Sequence, residues 1–299
     1  MLNNKALKVT WQQIALADEV YYKSATRPKG VNLLENIAYL DDNDPMHLMD
    51  IAYPENNTAV LPVIVHIHGG GWVYGHKDTY YKYYAMELSK RGYAVLTINY
   101  RLAFKDPFPS MIIDIFSVFK WIELNHKAFQ LDPNNVFLVG DSAGAHLSAL
   151  SALLFQDDQL RSHYPISKSA IKIKALGLSC GVYDFDHLVN TDINLPMRKM
   201  MVQTIFNQVD YTNHPLYPYA SVLPNVNTLL PSYILSTESD SIHYQSLELI
   251  QACIDKKIPY LARTMPKALK LYHVFNLRLK FPESLMILDE MDRFFKQYL

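Results

Sequence analysis

The sequence lacks the features that would assign it to several broad classes of protein. No apolar run approaches the roughly 18 residues of a membrane-spanning helix, and residues 1–20 lack the apolar core of a signal peptide. The charge is nearly balanced, with 28 Lys and Arg against 29 Asp and Glu, so nothing favours nucleic acid or an anionic membrane as a partner. The only cysteines, Cys180 and Cys253, lie in apolar stretches, where we expect buried free thiols and a reducing, cytoplasmic location.

Two kinds of ligand site are also disfavoured. Three consecutive glycines at 69–71 could cradle a phosphate, but the Lys-Ser/Thr ending of a P-loop and a Gly-x-Gly-x-x-Gly spacing are both absent. His66 and His68 form a His-x-His pair, but no further cluster with zinc-site spacing accompanies them. We therefore expect neither a cofactor nor a metal ion.

The 299 residues, 49% of them hydrophobic, suffice for a single large α/β domain. Continuous apolar runs at 61–67 and 94–98 predict strands buried on both faces, and the stretches 78–91 and 110–126 have helical periodicity. This alternation predicts a mostly parallel sheet flanked by helices, with ligands bound beyond the carboxyl ends of the strands.

One stretch combines a strand, a sharp turn and a helix. The apolar run 136–139 is followed by Gly-Asp-Ser-Ala-Gly at 140–144, and a helical pattern begins at residue 145. This order is typical of a nucleophile elbow, in which small neighbours let Ser142 project above the sheet. The N-terminus of the new helix, beginning with the N–H of Ala143, then points to where an oxyanion would form.

A second glycine-rich motif follows the apolar run at 61–67. It reads His-Gly-Gly-Gly-Trp at 68–72. Successive glycines allow the backbone to turn and to expose N–H groups without a Cβ atom in the way. This is the requirement for a second loop of oxyanion donors.

These two motifs resemble those of the hormone-sensitive-lipase-like carboxylesterases, a branch of the α/β-hydrolases. The segment 99–103 and Asp114 also fit the family pattern, and the resemblance runs from about residue 40 to the C-terminus. It implies the α/β-hydrolase fold: one domain over residues 1–299, built on a mostly parallel eight-stranded sheet flanked by helices. It also implies a small helical cap formed by 1–35 and 184–227. A surface excursion with no role in substrate binding is the alternative for the second segment.

The resemblance also assigns a base and an acid to Ser142. In this fold the order along the chain is serine, then Asp or Glu, then histidine. Asp240 matches the acid position after the strand at 231–236, with Glu238 as a rival, and His273 matches the base position after the strand at 260–264. The chain departs from the family by having Val274 where glycine usually follows the histidine, and serine where proline usually follows the acid.

The expected protein is a serine carboxylesterase acting on small to medium acyl esters through an acyl-enzyme. Ser142, Asp240 and His273 would form its triad, and the N–H groups of Gly70, Gly71 and Ala143 its oxyanion hole, the two glycines by analogy with the family. An aryl-formamidase-like amide hydrolase and a non-catalytic ligand-binding homologue are the alternatives. The expected partner is a small-molecule ester substrate. We expect no binding of nucleic acid and no integral membrane association, and the sequence is compatible with a homo-oligomer.

Overall fold

The computed structural model of the chain describes residues 4–193, 195 and 197–299. Within these residues, eight strands form one sheet. The strands are β1 (Val31–Ala38), β2 (Leu48–Pro54), β3 (Leu61–Ile67), β4 (Ala94–Ile98), β5 (Leu131–Asp141), β6 (Ile173–Ser179), β7 (Ser232–Thr237) and β8 (Tyr260–Met265). Their order across the sheet is β1-β2-β4-β3-β5-β6-β7-β8.

The sheet is parallel from β4 to β8. At the other edge, β2 runs in the opposite direction and pairs antiparallel with both β1 and β4. In the parallel part, Ile67 at the end of β3 is the register partner of Gly140 near the end of β5. The loop after β3 and the turn after β5 therefore leave the sheet side by side, at the edge where ligands of parallel sheets bind.

Helices cover both faces of the sheet. In the described part of the chain they are α1 (Lys5–Ser24), α2 (Tyr80–Ser89), α3 (Ser110–Asn125), α4 (Ala143–Gln156), α5 (Asp158–Arg161), α6 (Phe185–Asn190), α7 (Arg198–Phe206), α8 (His243–Lys256) and α9 (Pro282–Phe295). Alternate residues of β5 divide between two cores: Leu138 packs with α3, α4 and α8, whereas Phe137 packs with α2 and α9. The expected mostly parallel eight-stranded sheet flanked by helices is confirmed.

The two segments expected to form a cap contain α1, α6 and α7. Residues 31–35 do not belong to such a segment, because they begin β1, and residues 31–34 pair with β2 in the sheet. Because Val31 pairs with Pro54 at the end of β2, the edge of the sheet begins earlier in the chain than the residue pattern predicts. Residues 1–3, 194 and 196 of the expected cap lie outside the described residues.

The structure also tests the predictions for the two cysteines and for a membrane-spanning helix. Cys180 and Cys253 are free and buried, as the apolar sequence around them predicts. Among the described residues, no helix combines the length and the apolar character needed to cross a bilayer.

Candidate active site

The Gly-Asp-Ser-Ala-Gly sequence forms the turn between β5 and α4. Ser142 has φ 51° and ψ −116°, a backbone conformation that residues other than glycine rarely adopt. Its N–H donates to the carbonyl of Ser179 at the end of β6 over 2.8 Å, and its carbonyl accepts from the N–H of His146 in α4. Hydrogen bonds on both sides therefore hold the strained residue in place.

The glycines on either side of this serine are required by close contacts. A Cβ atom on Gly140 would lie 2.2 Å from the carbonyl oxygen of Gly144, and one on Gly144 would lie 2.1 Å from that of Ile67. Close-packed backbone cannot move away from contacts this short without disturbing the sheet. The turn has the tightness expected of a nucleophile elbow.

The glycine-rich loop after β3 runs beside the elbow. Gly70 has φ 106° and Gly71 has φ 57°, so both need the conformational freedom of glycine. A Cβ atom on Gly71 would lie 2.6 Å from the Trp11 ring of α1 and 2.7 Å from the methyl group of Met201 in α7. The loop therefore passes directly beneath both expected cap segments.

Asp141 ties this loop to the elbow. Its Oδ1 accepts a hydrogen bond from the N–H of Gly69 over 3.1 Å, and its Oδ2 accepts one from the hydroxyl of Tyr81 over 3.1 Å. The Tyr81 oxygen also accepts from the N–H of Gly69, 3.0 Å away. Burial raises the pKa of Asp141 to about 7, even though these donors favour the charged carboxylate.

Asp240 and His273 form a hydrogen-bonded pair at the same edge of the sheet. Asp240 follows β7, His273 lies between β8 and α9, and their Oδ2 and Nδ1 atoms are 2.6 Å apart. Asp240 Oδ1 accepts a further bond from the N–H of Ile242 over 3.0 Å. The Asp240 side chain is only 2% exposed and that of His273 is 39% exposed, so the acid is shielded while the imidazole is reachable.

The pair shifts the pKa values of both members. Burial by itself would lower the pKa of His273, but the adjacent Asp240 carboxylate outweighs it and raises that pKa above its ordinary value. For Asp240, burial opposes ionisation, but the charge and hydrogen bond of His273 lower its pKa below the ordinary value. The arrangement favours an imidazole with its proton on Nδ1, which leaves Nε2 to act as a base.

Glu238, the rival acid, makes a different contact. Its carboxylate accepts a hydrogen bond from the backbone N–H of Lys267 over 2.8 Å. Because Asp240 holds the imidazole and Glu238 binds a neighbouring loop, the geometry favours Asp240 as the partner of His273.

One cavity of about 840 Å³ brings the expected residues together. Ser142, Asp240 and His273 all line it, and so does Gly71 of the glycine loop. Apolar side chains from α1 and from the segment around α6 and α7 line the cavity: Leu7, Trp11, Ile14, Leu188, Leu195 and Met201. Polar lining residues come from the loops that carry Asp240 and His273: Glu238, Ser239, Ser241 and Lys267.

His146 connects three parts of the site. Its Nδ1 accepts from the indole N–H of Trp72 over 3.1 Å, and its Nε2–H donates to the carbonyl of Ala220 over 2.8 Å. Burial lowers the pKa of His146 to about 4, so the ring is neutral. The ring thus links the elbow helix, the glycine loop and the segment that contains α6 and α7.

Cys180 is the site residue that sequence reasoning missed. It follows the last residue of β6, and its sulfur lies within 4.8 Å of ligand atoms of both Asp240 and His273. The available signal was its position directly after a strand of the parallel sheet, where site residues gather.

A comparison with known protein families agrees with this geometry. The BD-FAE family model matches residues 49–252, a segment that holds the glycine loop, the elbow and Asp240. The chain belongs to the BD-FAE family. This is a hormone-sensitive-lipase-like family of α/β-hydrolases, so the resemblance inferred from the two motifs is confirmed.

Curated relatives of this BD-FAE family member include ester hydrolases. It is 33% identical over 156 residues to the isoprenylcysteine alpha-carbonyl methylesterase ICME of Arabidopsis thaliana, covering 52% of this chain and 35% of the relative. It is 28% identical over 198 residues to the esterase LipC of Mycobacterium tuberculosis, covering 64% of this chain and 48% of the relative. In both cases the match spans less than half the length of the relative.

A solved structure resembles the BD-FAE family member over nearly its whole length. Esterase B from Lactobacillus rhamnosis is 27% identical, with a TM-score of 0.91 and coverage of 98% of this chain and 94% of that one. A second structure of that esterase, inhibited by a C4-C4 SN3 tributyrin phosphonate, is similar with a TM-score of 0.88 and the same identity and coverage. These comparisons agree with the esterase class of enzyme expected from the sequence.

Proposed function

We propose that this protein is a serine carboxylesterase that hydrolyses esters of small to medium acyl groups through an acyl-enzyme. The observation that carries the proposal is a single cavity lined by the strained Ser142 and by an imidazole whose Nδ1 is held by a buried carboxylate. The esterase relatives and the similar esterase B structure support the same reaction class.

In the first half of the reaction, the hydroxyl of Ser142 attacks the ester carbonyl. His273 takes the hydroxyl proton on Nε2 and then delivers it to the leaving alcohol. Asp240 keeps the imidazole in the tautomer with hydrogen on Nδ1 and stabilises the imidazolium that forms. In the second half, His273 activates a water molecule that hydrolyses the acyl-enzyme. No step requires a cofactor or a metal ion.

The oxyanion of the tetrahedral intermediate would bind backbone N–H groups of Gly70, Gly71 and Ala143. Ala143 begins α4, where the first N–H groups of the helix have no partner within the helix. The two glycines have the positive φ angles that let a loop present its N–H groups toward a bound oxygen. Each donor of this kind is worth about 3 kcal/mol in the transition state.

The cavity suggests how an ester would lie. The apolar lining residues from α1 and from around α6 and α7 suit the acyl chain, and the polar lining residues from the loops of Asp240 and His273 suit the alcohol. We therefore include in the proposal a cap built from the α1 helix and the 184–227 segment. The tributyrin phosphonate bound by the similar esterase B indicates that short acyl chains on glycerol are suitable first substrates to test.

The state of the cysteines bears on the cellular location of the protein. Both cysteines are free and buried, a state that suits a reducing compartment, and we propose the cytoplasm.

The test is hydrolysis of p-nitrophenyl acetate and butyrate by the purified protein and by two serine variants. Ser142→Ala should lower kcat by a factor on the order of 10⁴–10⁶. Ser239→Ala is the matched control, because this exposed serine lines the same cavity and should leave kcat within about twofold. Activity that survives in Ser142→Ala would remove the serine from the mechanism.

Two parallel assays address the alternatives. Turnover of formylated arylamines at a higher rate than the esters would favour an amide hydrolase. Labelling by a fluorophosphonate requires an activated serine, so failure of the wild-type protein to react would favour a ligand-binding homologue.

A further inference from the structure

Two groups of side chains in the described part of the chain have the composition and spacing of metal ligands. The first contains Glu35, Asp50 and Asp78. Lysine ammonium groups already neutralise it, since Lys77 Nζ lies 2.8 Å from Asp50 Oδ1 and Lys82 Nζ lies 2.8 Å from Asp78 Oδ1. This group is an ion-pair network, and a cation would have to displace its lysines.

The second group is different in chemistry. We propose that Cys180, Asp240 and His273 form a binding site for a thiophilic divalent cation, Zn²⁺ or Cd²⁺, whose occupation inhibits the enzyme. Their ligand atoms all lie within 4.8 Å of one another. Thiolate, imidazole and carboxylate are the three ligand types that proteins use for zinc, and three of them with a water molecule complete a tetrahedral site.

The three ligands are held by separate elements that meet at this point. Cys180 is 1% exposed and has φ 49°, and its N–H donates to the carbonyl of Leu235 in β7 over 2.8 Å. Its side chain is therefore fixed between the ends of β6 and β7, beside Asp240. His273 completes the group from the loop after β8, and its exposure to the cavity gives a cation a path to the site.

Binding requires only a small adjustment, and the adjustment explains the inhibition. Zinc–ligand bonds of about 2.0–2.3 Å place tetrahedral ligand atoms roughly 3.3–3.8 Å apart. A site that used both Nδ1 of His273 and Oδ2 of Asp240 would have to widen their 2.6 Å contact by about an ångström. Ligation through Nε2 would instead occupy the proton-accepting atom. Either arrangement removes His273 as the base.

Proton release accompanies binding. A thiol binds a cation as the thiolate, so binding at Cys180 releases its proton to solvent. A soft thiolate favours Zn²⁺ and Cd²⁺ over Mg²⁺ or Ca²⁺, which prefer oxygen ligands. The site should therefore discriminate between these two classes of cation.

Cation binding can be measured without any ester. The chain has two cysteines, so in Cys253→Ser the only remaining thiol is Cys180. Titration of this variant with Cd²⁺ should produce the ultraviolet absorbance of a cadmium–thiolate bond, saturating at one equivalent. Cys180→Ser, which keeps Cys253 in α8, should produce none. Absence of the absorbance in Cys253→Ser would overturn the proposal, whatever the protein's activity.

Inhibition is the second measurement, and it rests on the proposed esterase reaction. Zn²⁺ should inhibit hydrolysis of p-nitrophenyl butyrate, Mg²⁺ should not, and a chelator should restore the rate. Cys180→Ser should raise the half-inhibitory Zn²⁺ concentration by about tenfold or more, while Cys253→Ser should leave it unchanged. Equal inhibition of the Cys180→Ser variant and the wild type would overturn the inhibitory role of Cys180. If the wild type lacks esterase activity, the Cd²⁺ titration still decides whether the cation binds.

Discussion

The backbone N–H of Gly69 donates a hydrogen bond to the carboxylate of Asp141, 3.1 Å away. This bond joins the residue before Ser142 to the loop that carries Gly70 and Gly71. The proposed nucleophile and two of the proposed oxyanion donors are therefore coupled through one buried side chain. Tyr81 reinforces the contact by bonding both the carboxylate and the Gly69 N–H.

Replacement of Asp141 should impair the oxyanion loop. Asp141→Ala removes the acceptor for Gly69 and Tyr81, so we expect kcat to fall roughly tenfold to a hundredfold while KM changes little, because the donors act on the transition state. Asp141→Asn keeps an acceptor oxygen and should lose less. Steady-state kinetics on p-nitrophenyl butyrate measures both constants. An increase in KM with unchanged kcat would show that Asp141 acts on substrate binding instead.

The same residue should make stability depend on pH. Burial raises the pKa of Asp141 from 3.8 to about 7. Because the folded-state pKa lies above the unfolded value, its favourable contribution is complete below pH 3.8 and is lost as pH rises to about 7. This loss amounts to up to roughly 4 kcal/mol. Denaturant unfolding should show the stability of Asp141→Asn improving relative to wild type between pH 4 and pH 8, and parallel curves would contradict the shift.

The pH dependence of kcat/KM should report the Asp240–His273 pair. A base must be neutral, and the Asp240 carboxylate raises the pKa of His273 above 6.5, so activity should rise with pH through a midpoint above 6.5. Asp240→Asn removes the charge and should lower this midpoint by about one to three pH units while reducing kcat by about 10⁴-fold.

Glu238→Gln is the control for that experiment. The residue is two positions away and lines the same cavity, but its carboxylate binds the Lys267 N–H. The variant should keep the wild-type midpoint and a kcat within about twofold. A large loss here, with Asp240→Asn active, would reverse the assignment of the acid.

Removal of Asp18 should loosen α1 from the protein. Asp18 is buried and accepts hydrogen bonds from Tyr74, Tyr80 and Arg278, and the Arg278 guanidinium lies over the Tyr80 ring at 4.2 Å. Asp18→Ala leaves this largely buried guanidinium unpaired and should cost about 3 kcal/mol of folding free energy.

The matched control for Asp18 is its neighbour on the helix. Glu19 is exposed and pairs at the surface with Lys23, so Glu19→Ala should leave the free energy of unfolding nearly unchanged. Because α1 lines the cavity, Asp18→Ala should also raise KM for p-nitrophenyl butyrate. Equal stability of the two variants would show that Asp18 does not anchor the helix.

Local sequence determined the parts of this protein that depend on neighbouring residues. Gly70 and Gly71 have positive φ angles, and a Cβ atom on Gly140 would meet the carbonyl of Gly144, so the glycine loop and the elbow both depend on constraints that act within a few residues. The buried apolar runs similarly predict the parallel sheet, because a strand covered on both faces has no polar side. Even Val274, which replaces the family's glycine, keeps a glycine-like φ of 52°.

Only the tertiary structure decided the relationships between distant residues. From the sequence, Asp240 and Glu238 were rival candidates for the acid, because they lie two residues apart after the same strand. In the structure, His273 contacts Asp240, whereas the backbone N–H of Lys267 donates a hydrogen bond to Glu238. The position of Cys180 beside the pair follows from the adjacency of β6 and β7. No local pattern encodes these distances, because they depend on how strands far apart in the chain end side by side at one edge of the sheet.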